Sequence, residues 1–196
     1  GVSYGELGPT HHSIEDIAWM RALDALPIIV PADPEQTAQA VRWAAAATGP
    51  VFMRIGRHKV PDVSQGRTPA FTPGRADVLR DGDDVALIAS GTMVTVALAA
   101  ADQLAQAGVS ARVLNMSSIV PLDREAVLAC ARQTRGIVTV EESVPRGGLG
   151  GAVAELVAQE HPVRMRMVGT HEFAVTGDVA YLFDRFGLTS DGVTQA

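Results

Sequence analysis

The chain has 196 residues, of which 47% are hydrophobic and 19% charged; this composition is that of one or two globular domains and excludes a disordered chain. The net charge of −6 makes nucleic acid and anionic membrane surfaces poor partners, so an anionic ligand would need a local cluster of positive groups. The single cysteine, Cys130, excludes a disulfide framework and a thiolate metal site, and we expect it to be buried on a helix.

The first third of the chain predicts two helices and two short strands. Ser13 is placed to cap a helix whose first turn is acidic. Residues 27–31 predict a strand bounded by prolines, and residues 51–55 predict another. Between them, Asp33 begins a helix through a cap, a proline at the first helical position and Gln36 in a capping-box pattern.

Residues 61–75 contain scattered Pro and Gly without periodicity and predict a linker. Strands and helices alternate after it. The predicted strands are residues 85–89, 111–115, 136–140 and 163–168, and the predicted helices are residues 92–107, 123–134, 150–160 and 179–186. This alternation predicts a parallel-rich α/β architecture. We therefore expect an incomplete first unit (residues 1–60) and a complete second unit (residues 76–196).

Targeting signals are missing from the sequence. No stretch approaches the roughly 20 apolar residues that span a bilayer, and neither a basic region nor an apolar core opens the chain. We therefore expect a cytoplasmic protein without membrane contact. The chain opens without Met in a Gly-rich segment, so we expect residue 1 to begin a fragment or the ordered part of a longer chain.

The first candidate site is the loop of residues 5–12, which leads into a predicted helix N-terminus and carries His11 and His12. Histidine is suited to proton handling near neutral pH and to donating hydrogen bonds to sugar oxygens. The alternative is a solvated pair of loop residues. A metal site is disfavoured because adjacent side chains point apart and no third ligand has a suitable spacing.

The second candidate is the run of residues 54–59, R-I-G-R-H-K, at the carboxyl end of a predicted strand, where open α/β sheets place ligands. Its basic groups suit a phosphate, which arginine binds through two parallel hydrogen bonds. The alternative is a solvated basic turn.

Residues 141–151, E-E-S-V-P-R-G-G-L-G-G, follow a strand and open a helix. Their spacing fits neither the dinucleotide fingerprint nor a P-loop, and Glu141 and Glu142 would repel an anion. We interpret this segment as a tight strand-to-helix turn that needs glycine for its backbone geometry.

Residues 5–16, G-E-L-G-P-T-H-H-S-I-E-D, resemble the transketolase motif G-E-D-G-P-T-H-x-x-(I/V)-E. Further similar stretches follow in order along essentially the whole chain: M-R-A-L at residues 20–23, I-V-P-A-D at 29–33, G-P-V-F-M-R-I-G-R at 49–57, V-T-V-E-E at 138–142, G-G-L-G at 147–150 and F-G-L-T at 186–189. The first of these motifs is the most specific.

The resemblance implies transfer of a two-carbon ketol unit from a ketose phosphate to an aldose phosphate, as in the pentose phosphate reactions of carbohydrate metabolism. Thiamine diphosphate, anchored by Mg²⁺, supplies the chemistry. By this resemblance His11 is a catalytic residue that contacts the sugar oxygens, and Arg57 binds the substrate phosphate. Residues 1–60 would be the second half of a pyrimidine-binding domain. Residues 76–196 would be the C-terminal domain, with a mostly parallel five-stranded sheet that mainly supports assembly.

Leu7 departs from the family pattern. The family has an acidic residue at this position, and its carboxylate accepts a hydrogen bond from a hydroxyl of the acceptor sugar. Leucine cannot accept that hydrogen bond, and a site lined by it disfavours a buried hydroxyl. We therefore expect Leu7 to be a substrate-binding residue for an unusual acceptor. Examples are a ketone such as dihydroxyacetone phosphate, released from a branched ketose phosphate, or a very small aldehyde.

The other departure is an absence, since the family's cofactor-protonating Glu, its pyrimidine-stacking aromatic residues and its diphosphate-binding domain all lie outside this sequence. We expect no cofactor-binding or metal-binding residue in this chain, and no activity of the chain alone. The expected partner is an N-terminal transketolase subunit or domain, in a dimer or heterotetramer. A split transketolase and a trimmed single-chain enzyme would look the same.

Three alternatives remain open. The first is another thiamine enzyme, either 1-deoxyxylulose 5-phosphate synthase or the beta subunit of a 2-oxoacid dehydrogenase, which an assay with pyruvate would separate from a transketolase. The second is a non-catalytic subunit. The third is a freestanding α/β binding domain, which would have to bind a sugar phosphate alone.

Overall fold

The computed structural model describes residues 1–64, 66 and 71–196. The strands are β1 (Ile28–Ile29), β2 (Phe52–Met53), β3 (Asp77–Arg80), β4 (Val85–Ala89), β5 (Ala111–Asn115), β6 (Ser118–Val120), β7 (Gly136–Val140) and β8 (Arg164–Val168). The α-helices are α1 (Asp16–Arg21), α2 (Pro34–Ala46), α3 (Met93–Gln106), α4 (Arg124–Gln133), α5 (Leu149–Glu160), α6 (Val179–Arg185) and α7 (Ser190–Gln195).

The second unit is built on a five-stranded sheet in the order β3-β5-β4-β7-β8. Strands β5, β4, β7 and β8 are parallel, and β3 is an antiparallel edge strand. The predicted α/β class and the mostly parallel five-stranded sheet are therefore confirmed. Strand β3 itself was missed, because the alternation of apolar residues is weak in its four residues, D-V-L-R.

A small second sheet joins the two units. Its order is β2-β1-β6, so β1 of the first unit pairs with β6, which lies in the sequence of the second unit. The hydrophobic cores are shared in the same way. Val2 and Ile14 are buried in one cluster with Leu87 and Val140, on one side of the large sheet. Since packed interiors respond to small changes in volume, the two units constrain each other's positions.

Helix α2 begins as the sequence predicts. The Asp33 side chain accepts a hydrogen bond from the Gln36 N–H and caps the helix. The Gln36 side chain reaches back to the N–H of Ala32, one residue before the cap. Asp33 also accepts hydrogen bonds from the N–H groups of Val63 and Ser64 and from the Ser64 hydroxyl. Residues 63 and 64, near the start of the predicted linker, are thus hydrogen-bonded to the start of α2. Residues 65 and 67–70 of the predicted linker lie outside the described residues.

Replacing Asp33 with Ala is expected to lower the free energy of unfolding by about 2 kcal/mol, because a helix cap and several buried hydrogen bonds are lost together. The control is Glu35→Ala, which removes an exposed carboxylate two residues away. Chemical denaturation would measure both. Equal losses in the two variants would contradict this role of Asp33.

Asp33 also makes stability depend on pH. Burial by itself would raise the pKa of Asp33, but the hydrogen bonds from Gln36, Ser64 and Val63 outweigh it and lower this pKa. The stability that Asp33 contributes is therefore present above its unfolded-state pKa of about 4 and is lost as the pH falls through the lower folded-state pKa. The Asp33→Ala variant should consequently show a weaker loss of stability in this acidic range.

The first helix differs from its prediction. Helix α1 starts at Asp16. Glu15 occupies the cap position, and its side chain makes no capping hydrogen bond. The predicted cap at Ser13 is wrong because the residues before α1 have tertiary partners. The Ser13 carbonyl accepts from the Arg54 guanidinium, and the Ile14 carbonyl accepts from the Val144 N–H. The Ser13 carbonyl therefore bonds within the first unit, and the Ile14 carbonyl bonds to the second unit.

Three further elements were missed: a 3-10 helix at Gly5–Thr10, strand β6 and helix α7. Cys130 is buried and free, as predicted, and burial raises the pKa of its thiol. Across the described part of the chain, no helix has the length and apolar character needed to cross a membrane.

Candidate active site

The loop that carries His11 rests on the second unit. Its residues form the 3-10 helix Gly5–Thr10, interrupted at Gly8, which has φ +67°. A Cβ at Gly8 would lie 2.0 Å from the Thr176 hydroxyl oxygen, so only glycine allows this approach and this backbone conformation. The Gly5 carbonyl accepts from the Gly177 N–H. These contacts fix the loop by its backbone.

A cavity of about 210 Å³ opens beside this loop, and both units line it. His11 and Arg57, the two predicted polar site residues, are both among its lining residues. Tyr4 lies between them. The Tyr4 and His11 rings make an edge contact with centroids 5.7 Å apart, and the Arg57 guanidinium carbon lies 3.7 Å from the Tyr4 ring centroid. An aromatic face and a cation at this distance attract each other, so Tyr4 orients both neighbours.

Leu7 is outside the set of residues that line this cavity, and its side chain is 44% exposed. Its predicted contact with the acceptor sugar therefore stays a prediction. The neighbouring Thr10 hydroxyl contacts both the Leu7 carbonyl and the His11 Nδ1, at 3.2 and 2.9 Å. A change at Leu7 can reach His11 through the backbone of this turn.

The basic residues in the run 54–59 lie in two different environments. Arg54 forms an ion pair with Asp16 at 3.1 Å and donates to the carbonyls of Ser13 and Glu142. The bond to Glu142 joins the two units, and the three contacts together leave Arg54 poorly placed to bind phosphate. Arg57, by contrast, is exposed and contacts only the Tyr4 ring among the interactions described for it.

Arg57 also borders a second cavity of about 420 Å³, together with His58 and Lys59. The His58 ring lies against Phe183, with centroids 5.8 Å apart. Three of the four basic groups in the run therefore face one space. This arrangement suits an anionic group reached from the side of Arg57.

His12 is not among the residues that line either cavity. It is half-buried, and neither of its ring nitrogens has a hydrogen-bond partner among the described residues. Burial is the main cause that lowers the pKa of His12, so the neutral ring is favoured. His11 and His12 therefore differ in environment although they are adjacent in sequence.

The second unit contributes Glu142 and Thr92 to the cavity, two residues that the sequence did not single out as site residues. The Glu142 carboxylate accepts from the Ser3 N–H and from the Thr92 hydroxyl, both at 2.6 Å. Burial opposes its charge, whereas Arg54 and these two hydrogen bonds favour the charged form. A charged carboxylate is thus held inside the molecule.

The sheet topology explains why these residues lie together. Strands β4 and β7 are neighbours, and the connection after β4 leads to β5 on one side whereas the connection after β7 leads to β8 on the other side. Ligand sites of open α/β sheets lie at the carboxyl ends of the strands at such a point. Thr92 follows β4 and Glu142 follows β7. With the strand order known, the same rule would have identified both residues.

Glu141 has a structural position next to Glu142. It is fully buried and accepts hydrogen bonds from the N–H groups of Leu149 and Gly150, at the start of α5, and from the Ser143 hydroxyl. Burial raises the pKa of Glu141 despite these bonds. A Cβ at Gly148 would lie 1.8 Å from this carboxylate. The strand-to-helix turn that the sequence predicts is therefore organised by Glu141 and closed to a phosphate.

The described residues include no group of three or more His, Cys, Asp or Glu side chains that could hold a metal ion. The two carboxylates that line the cavity already have partners, since Asp16 pairs with Arg54 and Glu142 accepts hydrogen bonds from Ser3 and Thr92, so they do not form the set of oxygen ligands that a metal-bound diphosphate requires. No step involving such a group can be derived from these residues.

Comparison with known families matches residues 1–63 to the transketolase pyrimidine-binding domain and residues 74–193 to the transketolase C-terminal domain. The chain belongs to the transketolase family. This family depends on thiamine diphosphate and a divalent metal ion.

Among curated relatives, the chain is 42% identical over its whole length to one subunit of the apulose-4-phosphate transketolase of Phocaeicola vulgatus. It is 39% identical to the 6-deoxy-6-sulfo-D-fructose transketolase subunit SqwH of Clostridium sp.. It spans 62% and 61% of these two proteins. It is also 36% identical over 98% of its length to the 1-deoxy-D-xylulose-5-phosphate synthase of Desulfotalea psychrophila, of which it spans 31%.

Solved structures show the same fold. A split-gene transketolase described as an inactive beta4 tetramer has a TM-score of 0.88 and 41% identity, over 95% of this chain and 60% of that one. The transketolase from Leishmania mexicana has a TM-score of 0.81 and 26% identity, over 100% of this chain and 28% of that one.

Proposed function

We propose that this chain is the C-terminal part of a transketolase that moves a two-carbon ketol unit between sugar phosphates. The observation that carries the proposal is the pairing of His11 and Arg57 around Tyr4 in one cavity. A histidine can hydrogen-bond sugar oxygens and transfer protons near the reacting carbons, and an arginine at a fixed distance can bind a terminal phosphate. The two side chains thus provide separate contacts for the two ends of one substrate.

The remaining parts of the enzyme are proposed to lie outside this chain. Residues 1–60 act as half of a pyrimidine-binding domain and residues 76–196 as the C-terminal domain. Thiamine diphosphate, which supplies the carbanion chemistry, and Mg²⁺ are held mainly by an N-terminal subunit or domain. Two relatives named as transketolase subunits, and a split-gene structure, support a partner chain and an oligomer. We expect the assembly to act in the cytoplasm.

The sugar differs among relatives of similar identity, since one is named for an apulose 4-phosphate and another for a 6-deoxy-6-sulfo-fructose. Both names contain an anionic group, which agrees with a role for Arg57 in binding the charged end. In other family members an acidic residue at the position of Leu7 binds a hydroxyl of the acceptor. The apolar side chain of Leu7 therefore favours an acceptor that lacks this hydroxyl.

The function is tested by combining the full-length polypeptide with its N-terminal partner, thiamine diphosphate and Mg²⁺, and offering ketose phosphates or pyruvate as the donor. Ketol transfer from a ketose phosphate is the expected result. Turnover of pyruvate alone would instead support a 1-deoxyxylulose 5-phosphate synthase activity, as in the relative from Desulfotalea psychrophila. No turnover with any donor would support a non-catalytic subunit.

Leu7→Asp is expected to shift acceptor preference towards aldose phosphates that carry the hydroxyl, because the carboxylate can accept its hydrogen bond. One such bond to a charged group contributes about 1.5–3 kcal/mol, or roughly 10-fold to 100-fold in relative kcat/KM. Competition between two acceptors would measure this ratio, with Leu23→Asp, another exposed leucine, as the control. An unchanged ratio in Leu7→Asp would disprove a role for Leu7 in acceptor choice.

A further inference from the structure

We propose that Glu142 of the second unit is a positioning residue for ketol transfer, which holds the loop of His11 in its working conformation. The idea rests on the proposed function and extends it to the C-terminal domain, which would then take part in the site. It depends on a chain of contacts that runs from Glu142 through Ser3 and Tyr4 to His11 and Arg57.

The first step is the anchor. Glu142 is 5% exposed, and its carboxylate oxygens are divided between the two units. One oxygen accepts from the Ser3 N–H and the other from the Thr92 hydroxyl. Hydrogen bonds to a charged acceptor are short and strong, and the 2.6 Å distances agree with this. The backbone at Ser3 is therefore held at one point of the second unit.

The second step leads from Ser3 to the site. Tyr4 is the next residue, and its ring contacts both His11 and the Arg57 guanidinium. A shift of the backbone at Ser3 would move the Tyr4 ring. Because this ring contacts both His11 and Arg57, the orientation of these two side chains would change as well. Displacements of about 1 Å can lower a reaction rate by about 100-fold.

The third step is the far end of the loop. The Val144 N–H donates to the Ile14 carbonyl, and Arg54 donates to the carbonyls of both Ser13 and Glu142. The segment 142–144 thus contacts the chain before and after the 3-10 helix. His11 lies on a loop whose two ends are fixed by two residues of the second unit, Glu142 and Val144.

The location fits this role. Glu142 lies where an open α/β sheet ordinarily receives a ligand, at the carboxyl end of β7 beside β4. Here Ser3 of the first unit lies at that position, because its N–H donates to the Glu142 carboxylate. The end of the second unit where a ligand would ordinarily bind therefore packs against the chain next to the His11 loop. The Glu142 carboxylate there accepts a hydrogen bond from a backbone N–H.

The test uses the full-length polypeptide in its complete assembly, with Glu142→Gln and Thr92→Val as variants. Glu142→Gln removes the charge and keeps the size, and Thr92→Val removes one hydrogen bond and keeps the shape. The control is Glu155→Gln, because Glu155 also joins the units, through an ion pair with Arg21, and neither of these two residues lines the cavity. The measurements are kcat, KM, thermal stability and the ring resonances of His11 by NMR.

We expect Glu142→Gln to shift the His11 resonances, to lower kcat by about 10-fold and, because Tyr4 also orients Arg57, to raise KM by a smaller factor. Thr92→Val should act in the same direction more weakly. Glu155→Gln should leave all three close to wild type. Unchanged His11 resonances in Glu142→Gln, or equal changes in Glu142→Gln and Glu155→Gln, would overturn the proposal. If the wild-type assembly transfers no ketol unit, the proposed function fails, and the His11 resonances still test the positioning role.

Discussion

Replacement of His11 with Ala in the complete assembly is expected to lower kcat by a factor of about 10² to 10⁴, the usual contribution of a positioned acid or base. His11 is exposed on the cavity wall and is oriented by the Tyr4 ring and the Thr10 hydroxyl. Steady-state kinetics with a ketose phosphate donor would measure the loss.

The adjacent histidine provides a matched control. His12→Ala removes the same side chain one residue away, and His12 is not among the residues that line the cavity. Its kcat should stay close to that of the wild type. Equal losses in the two variants would mean that the histidine pair supports the loop without a separate role for His11. A His11→Ala enzyme with full activity would remove His11 from the reaction.

Replacement of Arg57 with Ala is expected to raise KM for a phosphorylated substrate by roughly 100-fold, which corresponds to a loss of about 3 kcal/mol for a charge-assisted contact. Arg57 is exposed and borders two cavities, so its guanidinium can reach a phosphate without breaking an internal ion pair. The comparison that isolates this contact uses the same sugar without its phosphate.

For the phosphate-free sugar, Arg57→Ala should change KM little. Arg57→Lys should recover part of the loss, because lysine keeps the charge but lacks the planar group that lies over Tyr4. Equal changes in KM with and without the phosphate would show that Arg57 shapes the cavity and does not bind the anion. Arg135→Ala, which changes an exposed arginine on another face of the second unit, is the control.

Local patterns predicted much of the fold. The predicted cap of α2 at Asp33 is confirmed, and Asp123 caps α4 in the same way, because each side chain accepts a hydrogen bond from the N–H three residues later. Such contacts are encoded by neighbours in sequence. The same is true of the turn before α5, where glycines follow a strand.

The elements that were missed depend on distant partners. Strand β6 has three residues and exists because it pairs with β1, about 90 residues earlier in the sequence. The hydrogen bond between Glu142 and Ser3 spans 139 residues. Ser13 fails as a cap because Arg54, 41 residues later, bonds to its carbonyl. No local pattern contains this information.

The residues of the candidate site also differ in how far the sequence alone could identify them. The resemblance identified His11 and Arg57, and both line one cavity. Tyr4, which contacts both, carries no signal of its own in the sequence, because an aromatic residue beside a glycine is common in loops. Leu7 and the domain boundaries at residues 60 and 76 stay predictions.

The sheet shared by β1, β2 and β6 has a consequence for protein engineering and for recombination between related genes. A crossover in residues 61–75 would look safe, since this stretch resembles a junction between modules. It would replace β6 and Glu142 while keeping β1 and Ser3. Chimaeras made there should fold less well and turn over more slowly than either parent, unless both halves come from relatives with matching contacts.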